Sequence, residues 1–135
     1  MTVYFCLDER SGLSFNRRRQ SRDSAVLADI ASRLTGELLI DPISCPLVQQ
    51  AQIPYCIALP ELTEKLPGVH YFVEQRQPGD WVSLADRVVL YRWNRHYPAD
   101  RWFDLDLTSM GFVLAETAEF PGTSHETITR EVYAK

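Results

Sequence analysis

Apolar positions along this chain fall into two periods. Val3-Tyr4-Phe5-Cys6-Leu7 is a continuous apolar, β-prone run and reads as a buried strand. Asp8 to Asn16 comes next as a loop, with Gly12 expected at a positive φ. Ala25, Val26, Leu27, Ile30, Ala31 and Leu34 then recur at helical spacing. Ser21 or Asp23 can cap that helix at its start, and Thr35-Gly36 closes it. Glu37 to Ile40 is a second strand, ended by Asp41-Pro42. Four prolines (Pro42, Pro46, Pro54, Pro60) break up the next stretch of chain, leaving room for a short helix near 44–50 and a helical turn over Leu59 to Lys65. His70 to Glu74 is a third strand. Pro78-Gly79-Asp80 is a turn whose Asp80 can cap a short helix through Ala85.

Arg87 to Trp93 is the strongest strand pattern in the chain, and residues 94–104 read as a loop or edge segment. Phe112 to Glu116 is a further strand. Glu119 to His125 is a loop. Thr127 to Tyr133 alternates with period 2 and is expected to pair antiparallel with 112–118. Helices alternating with strands imply a mostly parallel α/β sheet, and the two consecutive final strands add an antiparallel edge.

A length of 135 residues fits one domain, spanning 1–135, with one real core. No apolar run reaches the ~20 residues that cross a bilayer, and Met1 to Cys6 carries no basic leader region, so the chain is read as cytoplasmic with no membrane partner. Cys6, Cys45 and Cys56 are odd in number and widely spaced. They read as buried, reduced thiols rather than a zinc framework. Asp104 and Asp106 would share one strand face but lack further ligands, so no metal is expected. His70, His96 and His125 are isolated, which speaks against a histidine-built metallo-hydrolase.

Charge changes the picture at one place. The net charge is −4, which makes nucleic acid an unlikely partner, yet residues 10–22 carry five arginines and no acid. Arg17, Arg18, Arg19 and Arg22 crowd the entrance to the first helix. Guanidinium forks beside unpaired helix-start N–H groups form a candidate anion site, with Gln20 as a polar neighbour and Asp23 as a proton acceptor if buried. The segment Arg92 to Asp100 lies just after the best strand, where open α/β sheets place their ligand crevice. Arg92 and Arg95 could clamp an anion there, Trp93 or Tyr97 could stack on a ring, and Asp100 completes the set. Gly122 to Glu126 places Ser124 beside His125. Adjacent residues rarely face each other productively, and this stretch reads as a polar hairpin turn.

Leu84-Ala85-Asp86 before the central strand, Ala99-Asp100-Arg101-Trp102-Phe103-Asp104 after it, and the closing strands resemble the dihydrofolate reductase-like family. The opening agrees: a strand, Asp8, Gly12, a loop, then an acid on the first turn of a helix. The resemblance implies a dihydrofolate reductase-like fold and gives Asp23 the place of the acid that holds the pterin ring and supports its protonation. The departures are specific. Asp41-Pro42-Ile43-Ser44 stands where the family's Gly-Arg-x-Thr holds cofactor phosphate, and Val73-Glu74-Gln75-Arg76 stands where its Gly-Gly admits the pyrophosphate. The arginine run replaces a Pro-Trp pair, and the chain is shorter than a usual member.

The expected function is therefore binding of an anionic or pterin/nucleotide-like small molecule without standard NADPH-dependent reduction. The cofactor is unknown, and whether a reaction is catalysed stays open. A non-catalytic interaction or regulatory module, possible as a homodimer, is the first alternative. An RNA-binding or RNA-processing protein is the second.

Overall fold

The computed structural model describes residues 1–61 and 63–135. Its centre is a seven-stranded sheet. β1 (Thr2–Leu7) pairs parallel with both β6 (His70–Phe72) and β7 (Arg87–Arg92). β4 (Leu38–Ile40) lies parallel between β5 (Tyr55–Ile57) and β6. β10 (Ile128–Ala134) runs antiparallel to β7 and carries β9 (Val113–Phe120) on its outer side. The mostly parallel sheet with an antiparallel C-terminal pair is as expected.

Strand alternation gives the sheet two apolar faces. Val3, Phe5 and Leu7 of β1, with Val88 and Leu90 of β7, pack on one face under Trp81, Phe103 and Phe112. Tyr4 and Phe72, with Val89 and Tyr91, pack on the other under Val26, Leu27 and Ile30 of α1 (Ser24–Arg33) and Leu47 and Val48 of α2 (Cys45–Gln50). The apolar stripe of α1 thus faces the sheet. Its polar flank holds Asp29, whose carboxylate accepts from Tyr91 Oη at 2.6 Å and from Arg130 Nη1 at 2.6 Å.

Several local expectations are corrected. Gly12 does not take a positive φ; Ser11 does, at 65°. Gly12 is required by space instead, because a Cβ there would lie 2.7 Å from Gln20 Nε2 and 2.8 Å from Ala99 Cβ. The expected loop around it is a small second sheet, with β2 (Gly12–Phe15) between β3 (Arg18–Arg19) and β8 (Arg101–Trp102). Asn16 and Arg17 form the two-residue turn at φ 52° and 59°, the left-handed pair of a type I′ hairpin. α1 ends as Leu34 turns extended at φ −80° and ψ 144°, without a left-handed glycine.

α3 spans Pro78–Val82, so Asp80 lies inside its first turn rather than at its cap. β5 is an additional strand beyond those expected, and β9 runs on to Phe120. Asp104 and Asp106 lie in the loop after β8, not on a strand. The helical turn expected over Leu59 to Lys65 runs through position 62, outside the described residues. Among the described residues no helix is long and apolar enough to cross a membrane.

Candidate functional site

The parallel strands β1, β6 and β7 all point their carboxyl ends at the start of α1, which is where open α/β sheets leave a crevice. A cleft lies there. Leu13, Val26, Leu27, Leu47, Phe72 and Trp93 form its apolar walls, and Arg19 to Asp23 with Glu74 form its polar rim. The cavity volume is about 20 Å³, room for about one water, and the cleft is partly open to solvent, so a larger occupant extends through that opening or parts the rim.

Asp23 is the buried centre of the rim, 3 % exposed. It caps α1 by accepting from Ala25 N at 2.9 Å. The same oxygen, Oδ1, accepts from Thr123 N and Oγ1, both at 2.9 Å. Oδ2 accepts from Ser124 N at 2.9 Å, His125 N at 3.1 Å and His125 Nδ1 at 3.0 Å, with Ser124 Oγ, which donates to the Arg22 carbonyl at 2.7 Å, lying 3.2 Å away. Burial by itself raises the pKa of this carboxyl. The donors from Thr123, His125, Ser124 and Ala25 outweigh it and hold the group well below the usual carboxylate range. Asp23 is thus an ionised acceptor whose lone pairs are engaged by the β9–β10 loop.

An ionised Asp23 can only accept, so the proton between it and His125 sits on Nδ1. In the neutral imidazole Nε2 is then an acceptor. It faces two hydroxyls, Ser21 Oγ at 3.0 Å and Tyr97 Oη at 2.9 Å. The imidazole is 3 % exposed and stacks on the Trp93 indole, with centroids 4.6 Å apart and planes at 19°. The polar hairpin loop expected over Gly122 to Glu126 is formed, and it carries His125, which with Ser21 is not among the expected site residues, onto Asp23. The bonds that the imidazole makes to Tyr97, Asp23 and Ser21 join residues 28, 102 and 104 positions apart, out of reach of spacing rules.

The arginine run is split. Arg17 and Arg18 are exposed at the hairpin tip. Arg19 turns across the cleft mouth and pairs bidentately with Glu74, Nε to Oε2 at 2.8 Å and Nη2 to Oε1 at 2.8 Å. Gln20 donates to Asp8 Oδ2 at 3.1 Å, helping to hold the base of the hairpin. Asp100 Oδ2 accepts from Asn16 N at 3.0 Å, so it caps the hairpin turn. Trp93 lines the cleft, whereas Arg92 turns to the opposite face and pairs with Glu131 at 2.8 Å. Arg95 is exposed in the loop after β7. Of the expected residues, Arg19, Gln20, Asp23 and Trp93 come together around the cleft. Arg17, Arg18, Arg92, Arg95 and Asp100 do not line it, and the expected Arg92–Arg95 clamp is not formed.

The positions that would hold dinucleotide phosphate are acidic. Glu74 also accepts from Ser44 Oγ at 2.7 Å. Asp41 is 6 % exposed, with Oδ1 bonded to Tyr71 Oη at 2.7 Å and Arg76 Nε at 2.9 Å. Its Oδ2 is buried without a hydrogen-bond partner among the described residues. Both carboxylates are held by arginines, Glu74 by Arg19 and Asp41 by Arg76, so a phosphate would have to displace an ion pair to reach donors there.

No family model matches the chain, and no curated protein matches it. Among solved structures it is similar to the dihydrofolate reductase of Enterococcus faecalis, solved with NADP(H) and RAB-propyl. The TM-score is 0.66 over 98 % of this chain and 94 % of that one, at 10 % identity. The chain has a dihydrofolate reductase-like fold.

Proposed function

We propose that this chain, a protein of dihydrofolate reductase-like fold, binds a planar pterin- or nucleotide-like small molecule in the cleft at the start of α1, without nicotinamide-dependent reduction. The observation that supports this best is the lining. Apolar walls from Val26, Leu27, Phe72 and Trp93 suit a ring, and Ser21, Gln20 and the Arg19–Glu74 pair supply polar groups at its edge. Asp23 is expected to act through the loop it holds rather than by gripping the ligand, because its oxygens are already engaged. Arg19 must exchange Glu74 for the ligand if it is to read an anionic group.

Thermal unfolding with folates, pterins, nucleotides and nicotinamide dinucleotides tests this reading. A pterin or nucleotide is expected to raise Tm and quench Trp93 fluorescence, with stabilisation of ~2.7 kcal/mol at a hundredfold excess over Kd. The quench should be lost in Trp93→Phe. No response to any pterin, folate or nucleotide overturns the reading. A response to nicotinamide dinucleotide alone overturns the exclusion of that cofactor.

One observation favours a second reading, an interaction module that self-associates. β9 is the outer strand of the sheet, eight residues long, with Val113 70 % and Leu114 48 % exposed. A long edge with apolar side chains is a template for pairing. Light scattering is expected to give a dimer that Leu114→Lys converts to monomer. A wild-type monomer at high concentration rules this reading out.

A further inference from the structure

Ser21 and Asp23 stand two residues apart on the segment that leads into α1, and both side chains engage one imidazole. Asp23 Oδ2 lies 3.0 Å from His125 Nδ1, and Ser21 Oγ lies 3.0 Å from His125 Nε2. The carboxylate fixes the tautomer that leaves Nε2 as the acceptor for one of two hydroxyls, Ser21 Oγ or Tyr97 Oη at 2.9 Å. Tyr97 Oη in turn lies 3.4 Å from Ser21 Oγ, so Ser21 gives its proton to Nε2 when Tyr97 turns to donate to Ser21. Acid and imidazole are both 3 % exposed, while Ser21 is half-buried and lines the cleft. A buried carboxylate, an imidazole oriented by it and a hydroxyl facing a cleft form the arrangement that activates a serine nucleophile.

Tying the β9–β10 loop to α1 explains only part of this geometry. The backbone donors of residues 123 to 125 and the Nδ1 bond accomplish that. The Nε2–Ser21 contact adds one further tie and, unlike the others, leaves its hydroxyl on the cleft wall. The stacked Trp93 holds the imidazole plane, and Tyr97 Oη offers Nε2 a second hydroxyl.

We infer that Ser21 is a nucleophile activated by His125, with Asp23 as positioning residue, and that it takes small acyl groups from activated esters entering the cleft. Ser21 Oγ bonds to the ester carbonyl carbon as its proton passes to His125 Nε2. The bond from that carbon to the alkoxy oxygen breaks, and the leaving oxygen takes the proton from Nε2 and departs as an alcohol. Water then adds to the acyl-serine while giving a proton to Nε2. Ser21 Oγ leaves, recovers that proton, and a carboxylic acid is released. Ester and water give alcohol and acid, with no other reactant. The narrow apolar cavity favours a short acyl chain.

The inference rests on the same cleft admitting a small molecule, but the two readings fail separately. Ring binding without acylation removes this one alone, and acylation without ring binding removes the other alone.

Two probes test it on the full chain, a fluorophosphonate and p-nitrophenyl acetate. One adduct per chain is expected, mapped to Ser21 by peptide mass spectrometry, with a stoichiometric burst of p-nitrophenolate. Both should vanish in Ser21→Ala and slow ~100-fold in His125→Gln. Ser21→Cys is the second variant: its introduced thiol should alkylate with iodoacetamide faster than Cys56, which is exposed on β5 rather than buried as expected. No adduct on Ser21, an adduct formed equally fast in His125→Gln, or an introduced thiol no faster than Cys56 overturns the inference.

Discussion

Asp23→Asn is expected to lower stability by ~3 kcal/mol at pH 7, read as a fall in the urea midpoint at unchanged m. The carboxylate accepts from six donors, Ala25 N, two from Thr123, Ser124 N and two from His125, while the Ser124 hydroxyl gives its one proton to the Arg22 carbonyl at 2.7 Å. An amide of the same shape turns one oxygen into a donor. At either position that nitrogen faces two backbone N–H groups that cannot rotate away, so two partly or fully buried donors lose their acceptor. A loss below ~0.5 kcal/mol would mean that these bonds contribute little and that Asp23 is free for a ligand after all.

The same carboxylate sets an acid limit. Its folded pKa is depressed, and so is that of Asp8, where burial is outweighed by donors from Gly12, Arg10, Tyr97 and Gln20. A depressed folded value means the unfolded chain binds protons first as pH falls. The stability contribution is therefore complete above the unfolded value of ~3.9 and drains away below it. Asp23→Asn should flatten the acid limb of the stability curve as well as lowering its plateau.

How much of this can be read from the chain depends on how far each partner lies along it. α1, β1, β7 and the β9–β10 pairing arise from local periodicity and agree with the structure. β5 escapes because Tyr55-Cys56-Ile57 is only three residues long and lies on a sheet edge with little burial. β3 escapes because its hairpin turns on Asn16-Arg17 rather than Asn-Gly, and the arginines mask a two-residue strand. At the site, the capping role of Asp23 is legible, since caps are local. Its hold on Thr123, Ser124 and His125 is not, because those partners lie 100 to 102 positions away. Arg19 reads as an anion ligand for the same reason: Glu74 is 55 positions distant and appears only when β6 ends beside the hairpin.

Gly122→Ala is the second large effect, expected at ~3 kcal/mol from a single methyl group. A Cβ at Gly122 would lie 2.5 Å from Asp23 Oδ2 and 2.5 Å from the His125 carbonyl oxygen. Neither is the free end of a flexible chain. One is locked by its donors and the other is backbone. Gly122 is not among the positive-φ glycines, whereas Gly68 and Gly111 are, with open space around them. The cost at Gly122 thus comes from displacing the loop off the carboxylate and not from backbone strain, which predicts coupling. In the double variant with Asp23→Asn the two losses should fall short of their sum by ~1–3 kcal/mol, because the loop displaced by one substitution no longer has a full set of bonds to lose to the other. Strict additivity in urea unfolding would show that Gly122 acts elsewhere. Sub-additivity would tie the closeness of this turn directly to the carboxylate that orients His125.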